Sequence, residues 1–248
     1  MLRRHACCLS IPGPGDPGTA LLSAEEKARW RNYLRDADHE LFGRVHTSLR
    51  QTLSRYGAVD PARWTFHTNR FGRPEITNPG APPGLRFNLS HTHAGARSSG
   101  GVGGALAIVV NRGFDAGVDI ETLNRVADLE RMARTCFSES ERDLLSSQPP
   151  EDRQRWFTRT WTLKEAFIKA KGMGLALPLK AFSFDPTDRA AIGFSCDREV
   201  DAQMDDWTFT LREPTPTRIV ATAAKRSDGA PDLAVFTTEP TDSVHFCP

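Results

Sequence analysis

The chain has no long apolar run and no large excess of charge of either sign. Its 32 basic and 31 acidic side chains leave a formal net charge of +1 over 248 residues, which excludes a nucleic-acid binder that relies on overall charge. No apolar stretch approaches the roughly 20 residues that a membrane-spanning helix needs. The segment from Met1 to Pro12 does not resemble a signal peptide. We expect a cytoplasmic protein whose partners are neither membranes nor nucleic acids.

Cysteine is also scarce. The chain has five cysteines, which form no CxxC pair and no Cys/His spacing suited to zinc. An odd number without such spacing argues against structural disulfides and is typical of a reducing compartment. We interpret the cysteines as small apolar side chains.

The hydrophobic pattern predicts helices followed by strands, and this order occurs twice. Ser23 and Glu26 form a capping box that opens a helical region reaching about Tyr56. A buried stripe in this region recurs every four residues, at Leu41, Val45, Leu49 and Leu53. Further helices are expected over 126–171, and residues 182–238 have the short segments and turns typical of β-strands. This order indicates an α+β fold.

Two carboxylates alternate along one short predicted strand. In Val118-Asp119-Ile120-Glu121, side chains alternate across the strand, so Asp119 and Glu121 share one face. Carboxylates placed in this way repel each other unless a cation lies between them or one is protonated. A solvated strand end with two surface acids is the alternative for this segment taken alone.

A tryptophan, a glutamate and a lysine recur every four residues in the last predicted helix. Trp161, Glu165 and Lys169 therefore lie on one helix face. We assign Trp161 to the core, together with Phe167 and Ile168. Glu165 and Lys169 form either an ordinary surface pair or part of a site.

Taken together, Asp119, Glu121, Glu165 and Lys169 suggest a hard-cation site beside a phosphate. Mg²⁺ prefers oxygen ligands and is held by one or two carboxylates together with substrate phosphates and water. A lysine neutralises a phosphate oxygen as a point charge. These residues therefore predict bound Mg²⁺ with Lys169 next to a phosphate.

A Ser-His pair follows a short strand predicted over 85–89. Ser90 and His91 are adjacent, so their side chains point to opposite faces, and no GxSxG motif accompanies them. Both facts argue against a hydrolase triad. A hydroxyl and an imidazole at a strand end suit phosphate recognition, and a capped turn is the alternative. Arg73, next to Gly72 in a predicted turn, is either another phosphate donor or a solvated turn residue.

The ordered set of motifs resembles that of the 4′-phosphopantetheinyl transferases, in particular the larger, monomeric, surfactin-synthetase-activating type. The matching segments lie between roughly residues 70 and 184 and follow the family's order. They are FGRP (71–74), FNLSH (87–91), GVDIE (117–121), FSESE (137–141), WTLKEAFIKAKGMGL (161–175) and LPLKAFSF (177–184).

This resemblance implies two similar α+β halves related by a pseudo-twofold axis. Each half would be a small antiparallel sheet packed with helices, with the active site in the cleft between them. We expect residues 1–114 to form the half that contacts the nucleotide and pyrophosphate, and residues 115–248 to carry the metal-binding carboxylates.

The implied reaction moves the phosphopantetheine arm of coenzyme A to a serine of an apo acyl or peptidyl carrier protein, releases adenosine 3′,5′-bisphosphate and requires Mg²⁺. By position, Asp119, Glu121 and Glu165 would hold the metal. Glu165, or a water on the metal, would help to deprotonate the acceptor serine. Lys169 would stabilise charge on the phosphates or protonate the leaving group. The carrier could serve fatty acid, polyketide, non-ribosomal peptide or siderophore assembly.

The resemblance also assigns residues to coenzyme A. Ser90 and His91 would contact the pyrophosphate, and His91 is counted with the catalytic residues. Gly72 and Arg73 would lie near the nucleotide.

Two features depart from the family pattern. Where the family usually has an arginine that binds the coenzyme 3′-phosphate, this chain has His39, which leaves Arg35 or Arg44 as substitutes. Residues 94–104 lengthen the loop after the Ser-His motif with a glycine-rich segment.

Two other functions fit the same residues. One is a Mg²⁺-dependent hydrolase that cleaves the pyrophosphate of coenzyme A with water as the nucleophile. The other is a module that binds coenzyme A or a carrier protein without catalysis. A degenerate binder would lose its metal ligands first, so the presence of three carboxylates and Lys169 favours the transferase.

Overall fold

The computed structural model describes residues 5–11, 19–93, 104–124, 126–201, 203–225 and 234–238. The chain divides into two compact units, Met1–Gly113 with Asp232–Pro248, and Phe114–Pro231. The glycine-rich segment predicted over 94–104 lies outside the described residues except for Gly104, which begins a strand.

Helices and strands alternate in groups along the chain. In chain order they are β1 (His5–Ile11), α1 (Ala24–Arg31), α2 (Asp36–Leu53), β2 (Phe66–Thr68), β3 (Pro74–Ile76), β4 (Leu85–His93), β5 (Gly104–Arg112), β6 (Ala116–Thr122), α3 (Leu129–Cys136), α4 (Glu139–Ser147), α5 (Pro150–Lys171), β7 (Phe182–Asp185), β8 (Gly193–Cys196), β9 (Trp207–Thr215), β10 (Arg218–Lys225) and β11 (Ala234–Thr238). Short 3₁₀ turns lie at Thr19–Leu21, Pro61–Arg63, Gly174–Ala176, Leu179–Ala181 and Met204–Asp206.

The first unit packs α2 against its main sheet. The sheet has the order β11-β1-β5-β4, with β1 and β11 parallel and the other neighbours antiparallel. β2 and β3 form a separate antiparallel pair. The predicted stripe of α2 is confirmed, because it forms one core with apolar side chains of β4 and β5. The core includes Leu41, Val45, Leu49, Leu53, Phe87, Leu106, Ile108 and Val110.

The second unit packs α5 against a three-stranded antiparallel sheet of order β6-β10-β9. Leu163 and Phe167 of α5 share a core with Ile219 and Ala221 of β10. β7 pairs antiparallel with β8. Gly172 ends α5 with a φ of 65°, a left-handed conformation that glycine adopts without the cost a side chain brings. This is the helix end that the sequence predicts.

Small antiparallel sheets packed with helices confirm the predicted α+β fold class, and the parallel pairing of β1 with β11 is an addition to it. Cys136 and Cys196 are free thiols. Within the described ranges, no helix is both long and apolar enough to cross a membrane.

Candidate functional site

The candidate site lies where α5 crosses β6 in the second unit. Gly117, Asp119 and Glu121 alternate on one face of β6, and α5 packs directly on that face at Gly117. A Cβ atom at Gly117 would overlap the carbonyl oxygen of Ala166 and the amide nitrogen of Ala170. Glycine therefore allows the closest approach of the strand to the helix, next to the carboxylates.

Asp119 forms an ion pair with Lys169 across this contact. Lys169 Nζ donates to Asp119 Oδ1 at 2.6 Å. The aspartate is buried, with 3% of its surface exposed, and the lysine is half-buried. Because the pair is largely removed from water, it is stronger than a surface pair of the same length.

Glu121 lies one pleat further along β6 and contacts a different residue of α5. Its Oε1 accepts a hydrogen bond of 3.2 Å from the indole Nε1 of Trp161. Burial and the neighbouring charge of Asp119 raise the pKa of Glu121 to about 7, although the Trp161 hydrogen bond and the charge of Lys169 act in the opposite direction. A carboxyl group with this pKa is only partly ionised at neutral pH.

Glu165 completes the group from the helix side. Burial and the charge of Asp119 raise the pKa of Glu165, while the charge of Lys169 lowers it. The structure thus brings together Asp119, Glu121, Glu165 and Lys169, all of which the sequence singles out. Three carboxylates carry more negative charge than one lysine balances.

This donor set fits a hard divalent cation. Carboxylate oxygens are the ligands that Mg²⁺ prefers, and a cation would stabilise the ionised forms of Glu121 and Glu165, which burial and the charge of Asp119 disfavour. Among the described residues, no three Asp, Glu, His or Cys side chains already converge in a geometry that holds a metal ion. Asp119 is engaged with Lys169 instead.

Ser90 and His91 lie on β4 of the first unit. Ser90 is buried and His91 is exposed, which is the alternation that adjacent strand residues predict. Asn88, also buried, is two residues before Ser90 and shares its face of the strand. Ser90 and His91 therefore do not form a nucleophile and base on one face of the strand.

Gly72 and Arg73 form the turn that leads into β3 of the same unit. Asn69 Oδ1 accepts hydrogen bonds from the backbone amides of Phe71 and Arg73, at 2.9 and 3.0 Å. Gly72 has a φ of 87°, so the turn requires a glycine there. Arg73 is buried, which excludes the alternative of a solvated turn residue.

His39, which stands where the family usually has an arginine, is held by its neighbours in the first unit. Its Nε2 lies 2.7 Å from the backbone oxygen of Tyr33. Because a carbonyl oxygen only accepts, Nε2 carries the proton. The ring also packs against Trp30, with 4.8 Å between the ring centroids. His39 thus ties the start of α2 to the preceding loop.

The assignment of Trp161 to the core is wrong in part. Trp161 is half-buried, and its indole N–H donates to a candidate metal ligand. The available signal was its spacing of four residues from Glu165, which places both on the helix face that carries the site. Phe167, in contrast, is fully buried, as predicted.

Comparison with known proteins points to one family. The model of the 4′-phosphopantetheinyl transferase superfamily matches residues 115–224. The 4′-phosphopantetheinyl transferase HetI of Nostoc sp. is 34% identical over 174 residues, which is 70% of this chain and 69% of that protein. The 4′-phosphopantetheinyl transferase psf-1 of Bacillus pumilus is 30% identical over 86% of this chain and 76% of its own. Sfp of Bacillus subtilis, named likewise, is 30% identical over 66% of each chain.

The chain belongs to the 4′-phosphopantetheinyl transferase superfamily. These relatives confirm the predicted resemblance to the surfactin-synthetase-activating type. They also confirm the predicted enzyme class, a transferase.

Proposed function

We propose that this transferase moves the 4′-phosphopantetheine arm of coenzyme A to a serine of an apo acyl or peptidyl carrier protein and releases adenosine 3′,5′-bisphosphate. The observation that supports the proposal is the placement of Asp119 and Glu121 on the face of β6 that packs against α5, which carries Glu165 and Lys169, in a member of this superfamily. Transfer of a phosphoryl group spreads negative charge over its oxygens, so catalysis depends on positioning and on cations near those oxygens.

We assign Mg²⁺ to the oxygens of Asp119, Glu121 and Glu165. The raised pKa values of Glu121 and Glu165 support this assignment, because crowded carboxylates gain most from a divalent cation. When bound, Mg²⁺ would stabilise the charge that develops on the pyrophosphate oxygens.

Two residues of α5 would take part in proton transfer and in stabilising the charge on the phosphates. Glu165, or a water on the metal, would accept the proton of the acceptor serine. Lys169, whose ammonium group already lies at the site, would stabilise charge on the leaving phosphate or donate a proton to it.

Residues of the first unit would hold coenzyme A. Ser90 and His91 would contact the pyrophosphate, and Gly72 and Arg73 would lie near the nucleotide. A buried hydroxyl on β4 and a buried guanidinium beside a glycine turn support these roles. Ser90→Ala and Arg73→Met should raise the KM for coenzyme A more than they lower kcat.

The proposal is tested by the intact mass of an apo carrier protein after incubation with coenzyme A, Mg²⁺ and this protein. A gain of one phosphopantetheine group is expected. The gain should vanish when Mg²⁺ is omitted and when the acceptor serine is replaced by alanine. We further propose that the protein acts as a monomer, which light scattering during size-exclusion chromatography checks.

Two results would overturn the transferase. Cleavage of coenzyme A without a carrier protein, with free phosphopantetheine as product, would indicate the pyrophosphate hydrolase. Binding of coenzyme A without cleavage or transfer to several unrelated carrier proteins would indicate the binding module.

A further inference from the structure

A buried ion pair joins three of the sequence motifs, and two of these, FSESE and LPLKAFSF, have no role in the proposed function. Lys164 of α5, the residue before Glu165, pairs with Glu141 of α4 at 2.9 Å. Both side chains are fully buried, with 0% exposed. Glu141 comes from the FSESE motif, and Lys164 also contacts Phe182 of the LPLKAFSF motif.

The ammonium group of Lys164 has a partner for each of its three N–H bonds. Nζ donates to the backbone oxygen of Leu179 at 2.8 Å and to that of Phe182 at 2.7 Å, and it lies 2.9 Å from Glu141 Oε2. The ring centroid of Phe182 is 4.3 Å from Nζ, close enough for a cation–π interaction. These contacts together fix the orientation of the Lys164 side chain.

Glu141 is held just as completely. Its Oε1 accepts a hydrogen bond of 2.9 Å from the amide of Phe184, and its Oε2 accepts one of 2.9 Å from the amide of Ser138. Ser138 is the N-cap of α4, and the two residues form a capping box. Through Glu141, Lys164 is thus tied to the start of α4 and to β7.

Such a pair stabilises a core less than apolar side chains of similar size would, because removing two charges from water costs free energy. What apolar packing does not supply is a set of directional bonds. Glu165 follows Lys164 directly, so any rotation of α5 about its axis moves both residues together. A bond network that determines the direction of Lys164 also determines the direction of Glu165.

We propose that the Lys164–Glu141 pair sets the rotation of α5 and thereby positions Glu165 against Asp119 and Glu121. The proposal rests on the proposed function, because it concerns the site that the function uses. Lys164 and Glu141 are positioning residues, since they bond to α4, β7 and the turn at Leu179.

The geometry indicates how large the effect should be. Side chains reach about 5–6 Å from a helix axis, so a rotation of roughly 10° displaces a carboxylate by about 1 Å. A displacement of about 1 Å at a reacting group costs up to about 100-fold in rate.

Three variants separate positioning from stability, namely Lys164→Met, Glu141→Gln and the double variant. Lys164→Met leaves a buried carboxylate without its cation and should lower Tm strongly. The double variant has no unpaired buried charge and should recover much of that loss. Its kcat should nevertheless stay roughly 10- to 100-fold below that of the wild type, because the directional bonds are still missing. The KM for the carrier protein should stay unchanged.

A second readout does not depend on turnover. Mn²⁺ titration followed by electron paramagnetic resonance, without carrier protein, should give a higher Kd in the double variant, because Glu165 is displaced. Lys225→Met is the control for loss of a lysine elsewhere in this unit, since Lys225 contacts the buried carboxylate of Asp201, which also pairs with Lys171. It should leave kcat and the Mn²⁺ Kd unchanged.

The outcomes distinguish this proposal from the function on which it rests. If the wild type fails to modify any carrier protein, the proposed function fails. If the wild type is active and the double variant recovers kcat and Mn²⁺ affinity along with Tm, the pair only stabilises the fold and the positioning role is wrong.

Discussion

Gly117 of β6 lies against the backbone of Ala166 in α5, with no room between them for a side chain. The strand also carries Asp119 and Glu121, and the helix also carries Glu165. This one contact therefore sets the separation between the two elements whose carboxylates form the candidate site. A residue with no functional group thus controls the geometry of residues that have one.

We expect Gly117→Ala to lower both stability and transfer. The added methyl group must push β6 and α5 apart, which costs about 1–3 kcal/mol in a well-packed core, and the same shift separates Asp119 from Glu165. Denaturant unfolding and the kcat for transfer measure the two effects. Gly80→Ala is the control, because a Cβ at Gly80 meets nothing within 4 Å. Equal stability and equal kcat in the Gly117→Ala and Gly80→Ala variants would contradict the close approach of β6 to α5 at Gly117.

The hydrogen bond from Trp161 to Glu121 predicts a change in metal dependence. It lowers the pKa of Glu121, so Trp161→Phe should raise that pKa above its present value of about 7 and leave less of the carboxylate ionised at neutral pH. The Mg²⁺ concentration that gives half-maximal transfer should therefore increase, and raising the pH by about one unit should reverse much of the increase.

Trp156→Phe is the matched control for this prediction. Trp156 is buried on the same helix, and its indole nitrogen has no hydrogen-bond partner among the described residues. The variant should leave the Mg²⁺ dependence as it is in the wild type. An unchanged Mg²⁺ dependence in Trp161→Phe as well would show that the hydrogen bond does not tune Glu121.

Asp119→Ala and Glu165→Ala should each abolish transfer while the protein remains folded. Each variant removes one of the carboxylates assigned to Mg²⁺, and loss of such electrostatic stabilisation costs about 100- to 1,000-fold or more in kcat. Addition of a chelator to the wild type should have the same effect. The carrier-protein mass assay and circular dichroism check activity and fold, with Glu151→Ala, an exposed acid on α5, as the control. Near-normal turnover in either variant would remove that residue from the site.

Periodicity predicted much of the fold and the four charged residues of the site. The four-residue recurrence from Leu41 to Leu53 identified the buried face of α2, and the alternation of Asp119 and Glu121 placed both on one face of β6. These signals are local, because a helix or strand determines which of its own side chains share a face.

Contacts between distant segments could not be predicted in this way. Lys164 reads as one more charged residue of a helix, and only the fold reveals that it is buried with Glu141. The hydrogen bond between Trp161 and Glu121 joins residues 40 positions apart, and an indole at this spacing suits a core position equally well. Burial and pairing of such residues depend on tertiary packing, which local patterns do not encode.

Glu26 gives the fold a pH dependence that is separate from the site. Burial alone would raise its pKa, but hydrogen bonds from His46 and Ser23 and the charge of Arg50 lower it from 4.5 to about 2. A carboxylate with a lowered pKa stabilises the folded state fully above the unfolded value of 4.5, and this stability is lost as the pH falls toward about 2. The free energy of unfolding should therefore decrease over that interval, and Glu26→Gln should flatten the decrease.

Glu26→Gln should also cost about 1–3 kcal/mol at neutral pH, because it removes charged hydrogen bonds from the buried Arg50. Urea titrations across this pH range measure both effects. Glu25→Gln changes an exposed neighbour on α1 and should leave the pH dependence of the unfolding free energy as in the wild type. If the unfolding free energies of the wild type and Glu26→Gln change equally with pH, Glu26 is not the source of the pH dependence.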